Sequence, residues 1–275
     1  MADIDIEQLA GILREAAKTQ ILPRFRHLGS DDVHQKTEAI DLVTEADLAA
    51  ERSIKADVAR HWPRALFVGE ESVAADPALL GKLGGADLAV VVDPVDGTAN
   101  FAAGLPLFAV MAAIVADGET VGGIIYDPMG DDWMLAGKGT GAWRVRADGE
   151  RTRLRYADAK PLDQMIGTAS VAFLPSSQRP GLLTNLAKVR MFANYRCAGH
   201  EYRTLASGHA DFAFYSKLMP WDHLAGSLIA QEAGGYVARL DGEPYEPHHV
   251  DGGLIVAPDR NAWEALRREV FTVPA

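Results

Sequence analysis

The chain has 275 residues, 48% of them apolar and 24% charged, enough for one large or two modest domains around a buried core. Its 27 basic and 38 acidic side chains leave a formal net charge of −11, which argues against a general binder of nucleic acid or anionic membrane. The single cysteine, Cys197, excludes an intramolecular disulfide and a cysteine-rich zinc site and fits a reducing compartment.

In chain order, the acidic start Met1-Ala2-Asp3-Ile4-Asp5 lacks the pattern of a signal peptide. The longest apolar run, Phe108 to Ala116, is too short to span a bilayer, so a cytoplasmic protein is expected. Leu9, Ile12, Leu13, Ala16 and Ala17 recur at helical spacing and predict an amphipathic helix over about 4 to 28, ending near Pro23. His27 to Ile40 is polar and reads as a loop, with Lys36 as a candidate loop contact. Thr44 followed three residues later by Asp47 matches a helix capping box, and Ala50, Ile54 and Val58 carry a helix to about His61. Ala65 to Val68 is a short strand ending in Gly69-Glu70-Glu71-Ser72.

The apolar run Leu88 to Val92 predicts a core strand that ends in Asp93-Pro94-Val95-Asp96-Gly97-Thr98. A strand over Leu107–Ala116 follows, then a hairpin of Val121–Asp127 and Asp132–Ala136 about the turn Pro128 to Asp131. Gly137, Gly139 and Gly141 enter a strand, Ala142–Val145, without the strand-to-helix setting of a nucleotide fingerprint. The charged residues 148 to 163 are the candidate boundary between two lobes of one catalytic unit, 1–150 and 151–275. The second lobe alternates strands and helices. Strands are expected at Ile166–Phe173, Met191–Arg196, Ala210–Tyr215 and Gly253–Ala257. Helices are expected at Gln178–Val189, through Leu205 to Gly208, at Asp222–Ala233 before Gly234-Gly235, and at Asn261–Val270.

Two carboxylates three apart at the end of a core strand are costly: at about 4 Å and an effective dielectric near 20, like charges repel by roughly 4 kcal/mol. No Lys or Arg lies within ten residues of Asp93–Thr98 on either side. The simplest partner is a divalent cation, and oxygen-only ligands suit magnesium. Asp41/Asp47, Glu70/Glu71 and Asp222 are further acids at predicted strand ends or helix starts, where ligands of mixed α/β proteins collect. Each also has a structural explanation when taken singly: Asp222 can cap its helix, and Asp96-Gly97 can make a turn.

Taken together these blocks resemble the inositol monophosphatase family. The residues that carry the likeness are Asp41 to Asp47, Gly69-Glu70-Glu71-Ser72, Val92 to Phe101, and Trp221-Asp222-His223-Leu224-Ala225-Gly226 with Glu232-Ala233-Gly234-Gly235, in the family's order; Ile125-Tyr126-Asp127-Pro128-Met129 is also similar. The resemblance implies an α+β fold, a layered α-β-α-β-α sandwich of the inositol monophosphatase and fructose bisphosphatase type. It also implies Mg2+-dependent hydrolysis of a small phosphate monoester by a metal-activated water, in line and without a covalent intermediate. Glu70, Asp93 and the Val95 carbonyl would hold one ion, and Asp93, Asp96 and Asp222 a second. Glu70 would reach a third through its hydration shell. Thr98 with Asp47 would orient the water, and the Gly97 and Thr98 amides would receive phosphate oxygens. A homodimer and inhibition by lithium belong to the same expectation. The chemistry suits these residue types, because phosphoryl transfer needs charge cancelled on the phosphate oxygens and an in-line nucleophile.

The sequence departs from the family at Ala99, where a second threonine usually stands, and at Cys197 to Arg203, where the inositol-type enzymes carry a small, mostly apolar segment. Tyr215 stands roughly where those enzymes have an acidic residue gripping ring hydroxyls. His200, Glu201, Arg203 and Tyr215, with Asp96, are therefore the candidate substrate contacts. A substrate other than inositol monophosphate is expected, with histidinol phosphate and sugar phosphates both open; the plainer alternative is a Glu201–Arg203 surface ion pair. His223 reads as packing on or capping its helix and Trp221 as core, and zinc at His248-His249 lacks a third ligand. An aspartyl-phosphate phosphatase is disfavoured because its acids stand two apart, and no Gly-x-Ser-x-Gly of a serine hydrolase exists. The rival from another class is a non-catalytic metal- or phosphate-binding regulator on the same fold.

Overall fold

The computed structural model describes residues 4–29, 32–35 and 42–272. Helix α1 (Ile6–Ala16) starts where the Asp5 carboxylate accepts from the Glu7 and Gln8 amides, and it continues through a π-helical turn, Ala17–Ile21. Leu9, Leu13 and Ile21 are fully buried on its inner face, each contributing roughly 1.5–3 kcal/mol by leaving water. Helix α2 (Glu45–His61) opens on the expected capping box: the Thr44 amide donates to Asp47 Oδ2 at 2.9 Å and the Ala46 amide to Thr44 Oγ1 at 3.2 Å.

These two helices cover one face of a seven-stranded sheet. Its strands are β3 (Leu66–Gly69), β4 (Leu88–Asp96), β5 (Ala109–Ala116), β6 (Glu119–Asp127), β7 (Asp132–Gly137), β8 (Gly141–Arg146) and β9 (Arg151–Arg153), side by side in that order. Only β3 and β4 run parallel. Side chains alternate along each strand. Val90, Val92, Val110, Ala112 and Ile114 pack with α1 and α2, whereas Ala89, Val91, Met111, Ala113 and Val115 enter a core on the other face. Both faces are covered, which is why β4 and β5 read as unbroken apolar runs.

The second core is filled by α7 (Ala198–Ala206) and α8 (Pro220–Glu232), which are also packed by a five-stranded sheet. That sheet contains β10 (Ile166–Ala169), β11 (Met191–Ala193), β12 (Phe212–Tyr215), β13 (Tyr236–Arg239) and β14 (Leu254–Ala257), ordered β11-β10-β12-β14-β13. On its far side Phe212, Phe214 and Ile255 meet Leu186 of α6 (Arg179–Leu186) and Trp263 and Leu266 of α9 (Arg260–Glu269). The layers are therefore α-β-α-β-α. No helix among the described residues is long and apolar enough to cross a membrane.

Several local expectations are corrected. Residues 27 to 40 are not all loop: β1 (Val33–Gln35) pairs antiparallel with β2 (Leu42–Thr44), Val33 opposite Thr44. Lys36 and Asp41 lie outside the described residues. The strand expected to Phe173 stops at Ala169, beyond which Leu174 closes a turn on Val171. The helix expected near Leu205 begins at Ala198 and takes in His200, Glu201 and Arg203. Its start is hidden in the sequence because Gly199, a poor helix former, sits in the first turn. A Cβ there would lie 2.8 Å from the Ala109 Cβ. The short α3 (Glu70–Ala75), α4 (Ala78–Leu83) and α5 (Thr98–Ala102) carry too little periodicity to announce themselves.

The close approach of α7 and α8 in the middle layer sets a test. A Cβ on Gly226 of α8 would overlap the fully buried Tyr202 ring of α7. Gly226→Ala is expected to destabilise the protein by about 1–3 kcal/mol through overpacking, read as a lower urea midpoint at unchanged slope. An unchanged midpoint would mean that the two helices are not locked at that contact.

Candidate metal centre

The parallel pairing of β3 and β4 sets Gly69 opposite Val92, so Glu70 leaves its strand beside Asp93. Glu51, buried on α2, fastens this end. Its carboxylate accepts from the Glu71 and Ser72 amides, both at 2.7 Å, capping the short α3 that carries Glu70. Glu51 had a signal in sequence, a carboxylate amid the apolar face formed by Ala50 and Ile54, but nothing local told what it binds.

Between Asp93 and Asp96 the β4–β5 register slips, as Pro94 removes a ladder donor and Val95 N donates to Asp93 Oδ1 at 3.0 Å. The slip brings both acids to the same end of the sheet. Gly97 then turns at φ 88°, where an added Cβ would lie 2.7 Å from the Leu107 carbonyl oxygen. Only glycine fits there. Helix α5 starts at once, and Thr98 Oγ1 lies 3.1 Å from Asp47 Oδ1 and 2.9 Å from the Val95 carbonyl.

Asp222 arrives from the first turn of α8. Carboxylate oxygens of Asp93, Asp96 and Asp222 all lie within 4.8 Å of one another. Burial pushes the Asp93 pKa well above the ordinary carboxylate range, with Glu70, Asp96 and Asp222 adding repulsion. Asp222 is raised to about 8, by burial first and then by the charges of Glu70 and Asp96. Asp47 is raised to about 7 chiefly by burial, against the pull of the Thr44 and Thr98 hydrogen bonds. Burial raises Asp96 too, but Cys197 Sγ at 3.0 Å and the Gly199 and Ala198 amides at the start of α7 hold it down. The donors are all hard oxygens set close together, which fits a divalent cation of the magnesium type.

The candidate substrate residues lie on α7 and β12. His200 Nε2 donates to the Phe108 carbonyl oxygen at 3.2 Å, and burial lowers its pKa. Glu201 is 3% exposed and accepts from the Tyr195 amide at 2.9 Å; burial raises its pKa to about 7. Arg203 pairs with Asp132 and approaches Asp127 at 3.6 Å. A Glu201–Arg203 surface ion pair is thus excluded, since the two side chains have separate partners and Glu201 is buried. Tyr215 stacks on Tyr202 at 5.3 Å within the core between the sheets. His223 is buried and structural: its Nε2 donates to the Lys217 carbonyl at 2.9 Å and its Nδ1 faces the Tyr202 hydroxyl at 3.2 Å. Glu246 comes within 4.8 Å of His248 and His249, which corrects the expectation that no third ligand stands near that pair, but His249 Nδ1 already faces the Glu246 amide at 3.0 Å.

Comparison with known proteins decides the family. A model of the inositol monophosphatase family matches residues 5–272. The chain belongs to the inositol monophosphatase family. Among curated relatives, the inositol-1-monophosphatase of Caulobacter vibrioides is 32% identical over 233 residues, covering 82% of this chain and 86% of that protein. The Nus factor SuhB of Escherichia coli K12 is 34% identical over 208 residues, covering 74% and 73% respectively. The solved SuhB structure from Bartonella henselae superposes at a TM-score of 0.80 with 26% identity, covering 96% of this chain and 98% of that one. Membership of the inositol monophosphatase family supports a phosphatase, and the structural likeness matches the five-layer fold.

The raised pKa values predict how the metal-free protein responds to pH. An acid whose folded pKa lies above its unfolded value binds more protons when folded, so stability falls as pH rises from about 4 toward the folded pKa. In chelator, the melting temperature is expected to drop between pH 5 and 8 and to drop less in Asp93→Asn, which removes one repelling charge. Magnesium should restore the wild type and leave the variant largely unprotected. A flat melting profile in chelator would show that burial and mutual repulsion do not raise the pKa values of these acids.

Proposed function

We propose that the protein is a magnesium-dependent phosphatase acting on a small phosphate monoester, with water as the nucleophile. The observation that carries this reading is the convergence of Asp93, Asp96 and Asp222 within 4.8 Å beside Glu70, supplied by three separate elements. Glu70, Asp93 and the Val95 carbonyl would hold one cation, and Asp93, Asp96 and Asp222 another. Such ions supply charge cancellation on the phosphate oxygens and a lowered pKa for water.

The chain's own groups do the rest. The left-handed turn at Gly97 lets the phosphate approach the backbone, where the Gly97 and Thr98 amides would receive its oxygens. The Thr98 hydroxyl donates to Asp47 Oδ1 and keeps a lone pair for the attacking water, so that as it takes the water's proton its own passes to the Asp47 carboxylate. Asp47 Oδ2 is anchored by the Thr44 amide, so its other oxygen keeps its aim on Thr98. One Asp93 oxygen accepts from Val95, and the carboxyl also bonds to Asp222, which leaves it poorly placed as a covalent nucleophile. Tyr215, where inositol-type enzymes carry an acid, supports a substrate other than inositol monophosphate; histidinol phosphate and sugar phosphates remain in the reading. A homodimer is part of the same proposal, on family likeness alone.

A second reading is a non-catalytic metal- or phosphate-binding regulator. It is favoured by the relatives named Nus factor SuhB rather than phosphatase. One assay separates the two: a panel of inositol monophosphate, histidinol phosphate and sugar phosphates, with magnesium and with chelator. Turnover that needs magnesium is expected, with a loss of about a thousandfold or more in Asp93→Asn. Failure to hydrolyse any monoester would favour the regulator, and a beryllofluoride adduct on Asp93 would overturn water as the nucleophile.

A further inference from the structure

Glu201 stands in the segment where the sequence departs from its family, and the metal centre does not use it. Its side chain lies on α7, 3% exposed, too deep to touch a substrate. Among the described residues no cation pairs with it, since the neighbouring Arg203 turns to Asp132 and Asp127. A buried carboxyl without a cation is costly unless hydrogen bonds hold its charge. The Tyr195 amide donates to one of its oxygens at 2.9 Å, and the hydroxyls of Thr168 on β10 and Tyr215 on β12 lie close enough to stabilise the charge. Both hydroxyls are buried and find no partner elsewhere.

The Tyr195 amide belongs to a strap, residues 194–197, that joins β11 to α7. Asn100 anchors the strap from α5: its Nδ2 donates to the Tyr195 carbonyl at 2.7 Å and to the Leu107 carbonyl at 2.9 Å. Glu201 anchors it from α7. Beyond these anchors the strap lies on the Gly97 turn, with the Cys197 Cβ 3.1 Å and the Arg196 carbonyl oxygen 3.4 Å from where a Gly97 Cβ would stand. Cys197 Sγ then reaches Asp96 Oδ2 at 3.0 Å, and the Ala198 amide reaches Asp96 Oδ1 at 3.1 Å. This course puts Arg196 at φ 54°, a left-handed backbone that favours glycine. Strain of that kind persists where surrounding contacts impose it, and the bond from the Tyr195 amide to Glu201 is such a contact one residue away.

We propose that Glu201 is a positioning residue that holds residues 194–197 down on the Gly97 turn, and so sets Asp96 and the Gly97 and Thr98 amides. The hold needs only this chain's own groups. Its consequence for ligands rests on the phosphatase reading, in which those amides would receive phosphate and Asp96 a cation. Preorganised donors lose their advantage once they drift by about 0.5 Å or more, so a hold at this point is felt at the phosphate.

The test compares wild type with Glu201→Met and Glu201→Gln. Methionine fills a similar volume without a charge, so the melting temperature of Glu201→Met in chelator should be unchanged or higher. Glutamine keeps a carbonyl oxygen for the Tyr195 amide and can donate to the Thr168 and Tyr215 hydroxyls. In chelator, amide hydrogen exchange across residues 94–101 and 193–199 is expected to be about tenfold faster or more in Glu201→Met and near wild type in Glu201→Gln. In magnesium, calorimetric affinity for inorganic phosphate is expected to fall about tenfold or more in Glu201→Met and less than about threefold in Glu201→Gln. Unchanged exchange in Glu201→Met overturns the proposal, and so does an equal loss in both variants. Faster exchange with unchanged phosphate affinity also overturns it, because the strap would then be structural alone. If wild type binds no phosphate in magnesium, the phosphatase reading fails, and the exchange comparison still decides the hold. Should Glu201→Met not fold, Glu201→Asp, which keeps the charge but falls one methylene short, takes its place with the same outcomes.

Discussion

Carboxylates crowded at the buried end of a sheet repel one another, and low dielectric magnifies the repulsion. The structure around Asp93 is organised to hold that arrangement. Glu51 pins the start of the helix carrying Glu70, the amides opening α7 brace Asp96, and α8 is wedged between the sheets with Asp222 on its first turn. None of these supports is a cation. They restrain geometry without cancelling charge, and cancellation falls to whatever binds the oxygens.

The supports explain the glycines and the unusual helices. Gly199 is poor in a helix but required where α7 meets Ala109 and Asp96. Gly226 is equally poor and equally required where α8 meets Tyr202. Propensity yields to close approach at both places, and both lie beside residues that aim at the centre. The strained backbone of Arg196 belongs to the same neighbourhood, clamped between the start of α5 and the start of α7.

Much of this was legible in the chain. The run Leu88 to Val92 ending in two acids marked both the central strand and the centre, because burial on both faces leaves a continuous apolar signature. Thr44 and Asp47 declared their helix start through capping chemistry. What stayed hidden depends on long-range contact. Glu201 and Arg203 stand two apart in sequence, yet one is buried against the Tyr195 amide and the other pairs with the β6–β7 hairpin. Nothing in their spacing could separate them. Pairing of β1 with β2 and capping of α3 by Glu51 likewise depend on partners that no local window contains.

The position of Asp222 in the chain has a kinetic corollary. Glu70, Asp93 and Asp96 leave the ribosome more than a hundred residues before Asp222, which can take its place only after α8 has docked between two assembled sheets. If these acids hold a cation as proposed, a nascent chain would offer an incomplete ligand set, and high-affinity capture would be withheld until the sandwich has closed. Ion occupancy in this architecture would report on completed assembly as well as on readiness for chemistry.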